Sequence, residues 1–156
     1  MKNMIAASLI IITLASCQAK IDNDDAAASS LPLKGTWQLI SGTLTEKGKV
    51  TVTDYTTGQR FIKIINGTHF AFFNHDLTKG KDTAKAQFSA GGGSYTLKDS
   101  TYTENLEYCN DRQWENNSFT FTITISNDTL TQTGIEKIDS LGVNRLNVEK
   151  YFRVKK

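Results

Sequence analysis

Short runs of β-type residues, each followed by Gly, Asn or Asp, recur from residue 33 to the end of the chain. Almost no stretch in this part has the 3.6-residue periodicity of an amphipathic helix. Repeated short strands with turn residues between them are typical of all-β sandwiches and barrels. The predicted strands are Gly35–Thr45, Gln59–Ile65, Thr68–His75, Ala86–Phe88, Ser94–Lys98, Thr101–Cys109, Phe119–Ser126, Thr129–Glu136 and Arg145–Val154.

Three tight turns predict that consecutive strands pair with each other. Asn66-Gly67 is a strong two-residue hairpin signal because both residues tolerate positive φ. Asp99-Ser100 and Asn127-Asp128 are weaker signals of the same kind. A long antiparallel meander has exposed edges unless it closes on itself. We therefore predict an all-β fold, an eight- to nine-stranded antiparallel up-and-down β-barrel.

Alternation of apolar and polar residues predicts which side chains point into the barrel. In the run Phe119–Ser126 the phenylalanines and isoleucines share one face, and the threonines and the serine share the other. The same period of two places Tyr102, Glu104 and Tyr108 on one face of their strand. If this aromatic face is the interior, Glu104 points into the barrel.

The first residues have the three-part pattern of a secretory signal. Positive Lys2 is followed by an apolar run from Met4 through Leu14 and then by small residues that end at Cys17. The run is roughly half of the ~20 residues that span a bilayer, so a permanent transmembrane helix is not expected. We therefore predict a signal peptide over residues 1–16.

The stretch Leu14-Ala15-Ser16-Cys17 resembles the bacterial lipobox. This resemblance implies diacylation of the Cys17 thiol, cleavage before Cys17 and acylation of the new amino group. Two or more acyl chains anchor a protein stably, whereas a single chain is marginal. The expected location is the cell envelope, on the outer membrane, facing the periplasm or the surface. The alternative is an ordinary signal peptide with an incidental cysteine.

Composition divides the remainder into a tether and one domain. Residues 17–32 comprise the predicted lipidated cysteine and a flexible tether, because small, polar and acidic residues there bury too little apolar surface to offset ordering entropy. Residues 33–156 form the predicted barrel domain. The 18 Lys and Arg nearly balance the 16 Asp and Glu, which gives no electrostatic reason to expect nucleic acid as a partner.

Gly35-Thr36-Trp37 begins the first predicted strand, and Arg153 lies on the last. This pairing resembles the lipocalin and fatty-acid-binding superfamily, in which a Gly-x-Trp packs at the closed end of the barrel beneath an arginine from near the chain end. Residues 33–37, 91–97 and 101–104 more narrowly resemble the lipocalin-like domains of small secreted bacterial lipoproteins. The resemblance covers residues 33–156 and implies that Trp37 and Arg153 close one end. It departs from the larger lipocalins because no helix follows the strands.

Neither the histidines nor the second cysteine predicts a metal or cofactor site. His69 and His75 are six residues apart on one predicted strand, which at about 3.3 Å per residue separates them by ~20 Å, too far to share a metal. One of them could still bind haem iron in a barrel, but ordinary strand-end histidines are the favoured interpretation. If Cys17 is lipidated, Cys109 is unpaired, and we predict a half-buried structural thiol rather than a nucleophile. No cofactor is predicted.

Glu104, with Tyr102 and Tyr108, is the best polar constellation. A carboxylate inside an apolar barrel should have a raised pKa, which suits acid–base chemistry or anchoring of a polar ligand group. The alternative is a buried carboxylate satisfied by neighbouring hydroxyls or by Arg112. Gly91-Gly92-Gly93 lacks the Lys-Ser or Lys-Thr and the helix of a phosphate loop, and instead predicts a bend or bulge.

The leading functional hypothesis is a membrane-anchored lipocalin-like lipoprotein that binds a small, largely apolar ligand in the barrel interior. The alternatives are a non-catalytic interaction subunit of an envelope complex and, less favoured, an isomerase- or cyclase-type enzyme that uses Glu104. The expected partners are the membrane, through lipid on Cys17, a small apolar ligand and, in the second hypothesis, an envelope protein. No residue is assigned a catalytic role. The predicted ligand contacts are Phe70, Phe72, Tyr102, Glu104, Tyr108, Phe119 and Phe121.

Overall fold

The computed structural model describes residues 31–155, so the predicted signal peptide, Cys17 and the tether up to residue 30 lie outside it. Within this part of the chain no helix is long and apolar enough to cross a bilayer. Two single-turn 3-10 helices occur, at Arg112–Trp114 and Asp139–Leu141. The strands are β1 (Gly35–Glu46), β2 (Lys49–Asp54), β3 (Gln59–Ile65), β4 (His69–Asp76), β5 (Phe88–Lys98), β6 (Thr101–Cys109), β7 (Asn117–Ser126), β8 (Thr129–Ile138) and β9 (Val143–Arg153).

Eight of the strands close into a barrel. β1 pairs with β3, each strand from β3 to β9 pairs antiparallel with the next, and β9 pairs back with β1. The closing register runs from Trp37 opposite Arg153 to Thr45 opposite Leu146. Closure gives hydrogen-bond partners to backbone groups that an open meander would expose. The predicted all-β antiparallel up-and-down barrel is therefore confirmed.

β2 is a ninth strand that was not predicted from the sequence. It follows a turn in which Lys47 and Gly48 have φ of 49° and 77°, the two positive values typical of a type I′ hairpin. It pairs with the second half of β1, whereas the first half of β1 pairs with β3. Val50 and Val52 are exposed. The strand thus contributes no apolar face to the interior, although its sequence does alternate apolar and polar residues with the period of a strand.

The three predicted hairpins are present, and in two of them the first turn residue alone has the expected positive φ. Asp99 and Asn127 lie in two-residue turns with φ of 55° and 53°. Asn66 does not have positive φ. Its side-chain oxygen instead accepts hydrogen bonds from the backbone amides of Thr68 and His69, at 2.8 and 2.7 Å. An Asx turn therefore replaces the type I′ turn at this hairpin.

β5 is one continuous strand where the sequence analysis predicted two, so the predicted break between Phe88 and Ser94 is wrong. The strand runs through the glycines between them. Glycine is needed there because β6 lies too close to leave room for a side chain. A Cβ at Gly93 would lie 1.9 Å from the backbone oxygen of Asn105. The bulge predicted at these glycines is confirmed, since the register with β6 shifts between Gly92 and Gly93.

The end of the barrel where β1 begins and β9 ends is solidly packed, and we call it the closed end. Alternate residues of the strands meet there, which removes their apolar side chains from water. The residues of this packed base are Leu33, Trp37, Leu39, Ile65, Phe70, Tyr102, Ile123 and Leu130, all at most 3% exposed.

Arg153 holds the chain across the closed end. Its guanidinium lies 4.0 Å from the centroid of the Trp37 ring, a cation–π contact. Nη1 donates to the backbone oxygen of Lys34 at 2.8 Å, and Nη2 donates to that of Pro32. The Trp37 indole donates to the backbone oxygen of Leu33 at 2.8 Å. Trp37 and Arg153 thus occupy the positions that the lipocalin resemblance implies, and the last residue of the predicted tether already contacts the barrel.

Gly35→Ala is expected to lower the free energy of unfolding by about 1–3 kcal/mol. Gly35 has φ of +145°, and a Cβ there would lie 2.5 Å from Nη1 of Arg153, so the substitution strains the backbone and displaces the guanidinium. Urea unfolding measures the loss. Gly67→Ala is the matched control because a Cβ there would approach nothing nearer than 3.9 Å. Equal stability of the two variants would contradict the role given to Gly35.

Candidate functional site

The half of the barrel opposite the closed end contains a cavity of about 480 Å³. This volume lies within the range of small-molecule pockets, roughly 300–1,000 Å³. The cavity extends to the strand ends around Ser89, Asn110 and Asp111, which form its mouth. Its apolar wall consists of Phe61, Phe72, Leu106, Trp114, Phe119 and Phe121.

The alternation predicted for β7 supplies one side of this wall. Phe119, Phe121 and Ile123 are buried, and the threonines between them are exposed. On the opposite side, the Phe61 and Phe72 rings stack with centroids 5.6 Å apart and planes 12° apart. Stacked ring pairs of this kind are a favoured arrangement, and the contact stabilises this side of the wall.

Most of the predicted ligand contacts lie inside the barrel, but they divide between two regions. Phe70 and Tyr102 belong to the packed base, and neither lines the cavity. The alternation of β6 correctly placed Tyr102 and Glu104 in the interior. The residues that do line the cavity are Phe72, Glu104, Phe119 and Phe121.

Tyr108 lies on the outer surface, with 68% of the residue exposed. It pairs with Gly92, and the register shifts before Gly93, so Glu107 is an extra residue on β6. One extra residue reverses the alternation of a strand. Cys109 rather than Tyr108 therefore lines the cavity, and the expected interior position of Tyr108 is wrong.

A buried ion pair forms the floor of the cavity. The Lys63 ammonium donates to Glu104 at 2.7 Å and to the side-chain oxygen of Gln132 at 3.3 Å. Lys63 is 3% exposed and Glu104 is 7% exposed. Lys63 was not predicted from the sequence as a site residue. The available signal was its place on β3, two residues from both Phe61 and Ile65, which puts a lysine on the apolar face of the strand.

Electrostatics on the floor keep Lys63 charged. Burial acts to lower the pKa of Lys63, but the carboxylates of Glu104 and Glu149 outweigh burial and hold that pKa above its ordinary value. Burial raises the pKa of Glu104, as predicted, while the Lys63 ammonium acts in the opposite direction. Burial and nearby carboxylates also raise the pKa of the Tyr102 and Tyr151 hydroxyls, which therefore stay neutral.

Glu104 does have a compensating partner, as one alternative held, but that partner is not Arg112. Arg112 is exposed and pairs with Glu115 at 2.8 Å, so the predicted contact between Arg112 and Glu104 is wrong. The buried hydroxyl of Tyr102 makes no hydrogen bond of good geometry within residues 31–155, but it lies close enough to Glu104 to help lower the pKa of that carboxyl. Lys63 supplies the main compensation.

A second ion pair lies nearer the mouth. Glu136 accepts from Nε of Arg145 at 2.6 Å and from the side-chain amide of Asn147 at 2.8 Å. The Arg145 guanidinium also lies 5.0 Å from the centroid of the Trp114 ring. These contacts position Trp114 at the mouth and leave Arg145 with its charge already paired.

The histidines and Cys109 lie apart from one another and belong to no cluster of metal-ligating side chains in the described part of the chain. No three His, Cys, Asp or Glu side chains within residues 31–155 are placed to hold a metal ion. His69 and His75 occupy exposed positions of β4, outside the barrel interior in which the haem alternative would need them. Cys109 is free and half-buried, as predicted, and burial raises the pKa of its thiol.

The architecture, an eight-stranded closed antiparallel barrel with one extra strand, is compatible with a lipocalin-like fold. The chain matches no protein-family model, and no curated protein matches it. The stack of Arg153 on Trp37 at the closed end is the residue-level feature that agrees with the resemblance.

Lys63→Met is expected to lower the free energy of unfolding by about 3–5 kcal/mol, because it leaves the Glu104 carboxylate buried without its cation. Replacing both partners, as Lys63→Met with Glu104→Leu, should recover part of this loss, since Glu104 then no longer leaves an unpaired buried charge, while Glu149 still loses its 4.0 Å contact with Lys63. Urea unfolding of the two variants measures the difference.

Lys137→Met is the control for this pair. Lys137 bridges Asp139 on the surface, with the two side chains 57% and 84% exposed. Exposed pairs contribute at most about 1 kcal/mol, so this variant should unfold like the parent. A double substitution less stable than Lys63→Met alone would contradict the assignment of Lys63 and Glu104 as mutually compensating charges.

Proposed function

We propose that this protein is a lipocalin-like lipoprotein, anchored in a bacterial cell envelope by lipid on Cys17, that binds one small ligand in its barrel. The observation that carries the proposal is the cavity of about 480 Å³ above a packed base. An eight-stranded barrel has room for one small ligand. The wall of aromatic rings and the few buried polar groups have the usual composition of such a site.

The lining favours a ligand with both an apolar and a polar part. The rings of Phe72, Phe119 and Phe121 offer contacts for the apolar part, whose burial drives binding. The floor of Lys63, Glu104 and Gln132 offers hydrogen-bonding groups to the polar part, which would enter the cavity first. Glu104 is already bonded to Lys63, which supports a binding role more than acid–base catalysis. The proposed ligand is therefore less uniformly apolar than the sequence alone suggested.

The direction of the chain supports a cavity that faces away from the membrane. The chain enters β1 at the closed end, where Arg153 holds Pro32 and Lys34. The cavity mouth lies at the other end of the strands. A lipid on Cys17 would thus tether the barrel from the side of its closed end and leave the mouth open to the surrounding solution.

Cys109→Trp is expected to reduce the amount of co-purified small molecule about tenfold, because an indole at this lining position fills part of the cavity that a ligand would occupy. Native mass spectrometry of the chain from residue 17 onward, compared with the parent, measures retention. Tyr108→Trp is the matched control, since the neighbouring side chain lies on the outer surface. Equal retention by both variants, or a parent barrel that retains nothing from lipid and aromatic libraries, would refute interior binding.

Cys17→Ser is expected to move the exported protein from the membrane fraction to the soluble fraction, because a serine hydroxyl does not accept the thioether-linked lipid. Metabolic labelling with a clickable palmitate analogue should mark the parent and not the variant. Cys109→Ser controls for labelling of the other cysteine. A parent without label, or a Cys17→Ser variant that stays labelled and membrane-bound, would contradict the anchor.

A further inference from the structure

Carboxylates outnumber cations around the cavity. The acidic residues that line it are Glu104, Asp111, Glu136 and Glu149, and the basic ones are Lys63 and Arg145. When all six are ionised the lining is formally more negative than positive by two charges. Charge that is turned away from water needs compensation by a nearby opposite charge or a proton.

The two cations are already committed to two of the four carboxylates. Lys63 lies 2.7 Å from Glu104, and Arg145 lies 2.6 Å from Glu136. Asp111 is exposed at the mouth, where water screens its charge. Glu149 is different, because only 18% of its side chain is exposed. It is therefore the interior carboxylate that most lacks a cation.

The surroundings of Glu149 offer one hydrogen bond and no dedicated cation. Its Oε2 accepts from the Tyr151 hydroxyl at 2.7 Å. Among residues 31–155, Lys63 is the only cation within 4.0 Å of this carboxylate, and it lies at that limit while bonded to Glu104. An added positive charge beside Glu149 would complete the compensation of the interior.

An aromatic cluster stands next to this carboxylate. The Tyr151 ring, whose hydroxyl bonds Glu149, is fully buried and lies 5.3 Å from the Lys63 ammonium. It meets the cavity-lining Phe61 ring edge-on with centroids 6.5 Å apart. Phe61 in turn contacts Tyr55 at 5.8 Å and stacks on Phe72 at 5.6 Å. Aromatic faces attract organic ammonium groups through their quadrupoles, and an adjacent carboxylate adds Coulomb attraction in a site of low dielectric constant.

We propose that the ligand is a small organic cation, an ammonium group carried on an apolar or aromatic body. The ammonium group sits beside Glu149 on the side of the Phe61 ring, and the body fills the cavity towards Phe119 and Phe121. This inference rests on the proposed function and specifies its ligand class. The competing way to neutralise the interior is a proton on one of the carboxylates, which would leave no preference for a cation.

Three probes of matched shape separate these cases: tryptamine, which carries an ammonium group, tryptophol, which is neutral, and indole-3-propionate, which is an anion. Isothermal titration calorimetry with the unlipidated chain from residue 17 onward measures their affinities, and NMR shift changes at the cavity residues locate them. Tryptamine is expected to bind about tenfold more tightly than either of the other probes, the gain of one partly buried charge pair.

Glu149→Gln should abolish this preference while leaving tryptophol affinity unchanged. The variant keeps an acceptor for the Tyr151 hydroxyl, and Lys63 keeps Glu104, so the fold is expected to persist and thermal unfolding checks it. Asp128→Asn removes one negative charge near Arg153 at the closed end and should keep the tryptamine preference.

The outcomes distinguish the two levels of the proposal. Equal or tighter binding of tryptophol or indole-3-propionate at the cavity overturns the cationic ligand class and leaves interior binding intact. Binding of none of the three probes, together with no retained ligand in native mass spectrometry, overturns interior binding as well. A tryptamine preference that survives Glu149→Gln overturns the role given to Glu149.

Discussion

Pairing between β1 and β9 is the interaction on which the rest of the structure depends. It converts a meander with two open edges into a cylinder, whose strands pair on both sides and turn their inward side chains towards one another. The stack of Arg153 on Trp37 reinforces this seam at the closed end and also fixes the chain that precedes β1. A single guanidinium thus joins the first strand, the last strand and the entering segment.

Closure creates the low-dielectric interior that makes the Lys63 and Glu104 pair both costly and necessary. The barrel tolerates two charges removed from water because they lie 2.7 Å apart and neutralise each other. The side-chain oxygen of Gln132 also accepts a hydrogen bond from the ammonium. The pair divides the barrel into a base filled by apolar side chains and a half that holds the cavity. The floor of the cavity is therefore polar although its wall is aromatic.

One β-bulge decides which residues of β6 can reach a ligand. The glycines of β5 allow β6 to approach closely, and the extra residue Glu107 turns Tyr108 outward and Cys109 inward. A register shift of one residue exchanges the two faces of a strand. Which β6 side chains line the cavity thus depends on a backbone irregularity as well as on the order of residues in the sequence.

Local properties of the chain were enough to determine the class of fold and part of the site. Turn residues and alternation correctly predicted the hairpins, the inward phenylalanines of β7, the interior position of Glu104 and the bulge at Gly91–Gly93, because φ preference and side-chain period act within a few residues. Only the tertiary structure decided that Tyr108 faces outward, that β2 extends β1, and that the partner of Glu104 is Lys63. That partner lies 41 residues away in sequence, and Gln132 lies 69 residues from Lys63. Barrel closure brings these side chains together through the combined register of many strand pairs, which no local pattern encodes.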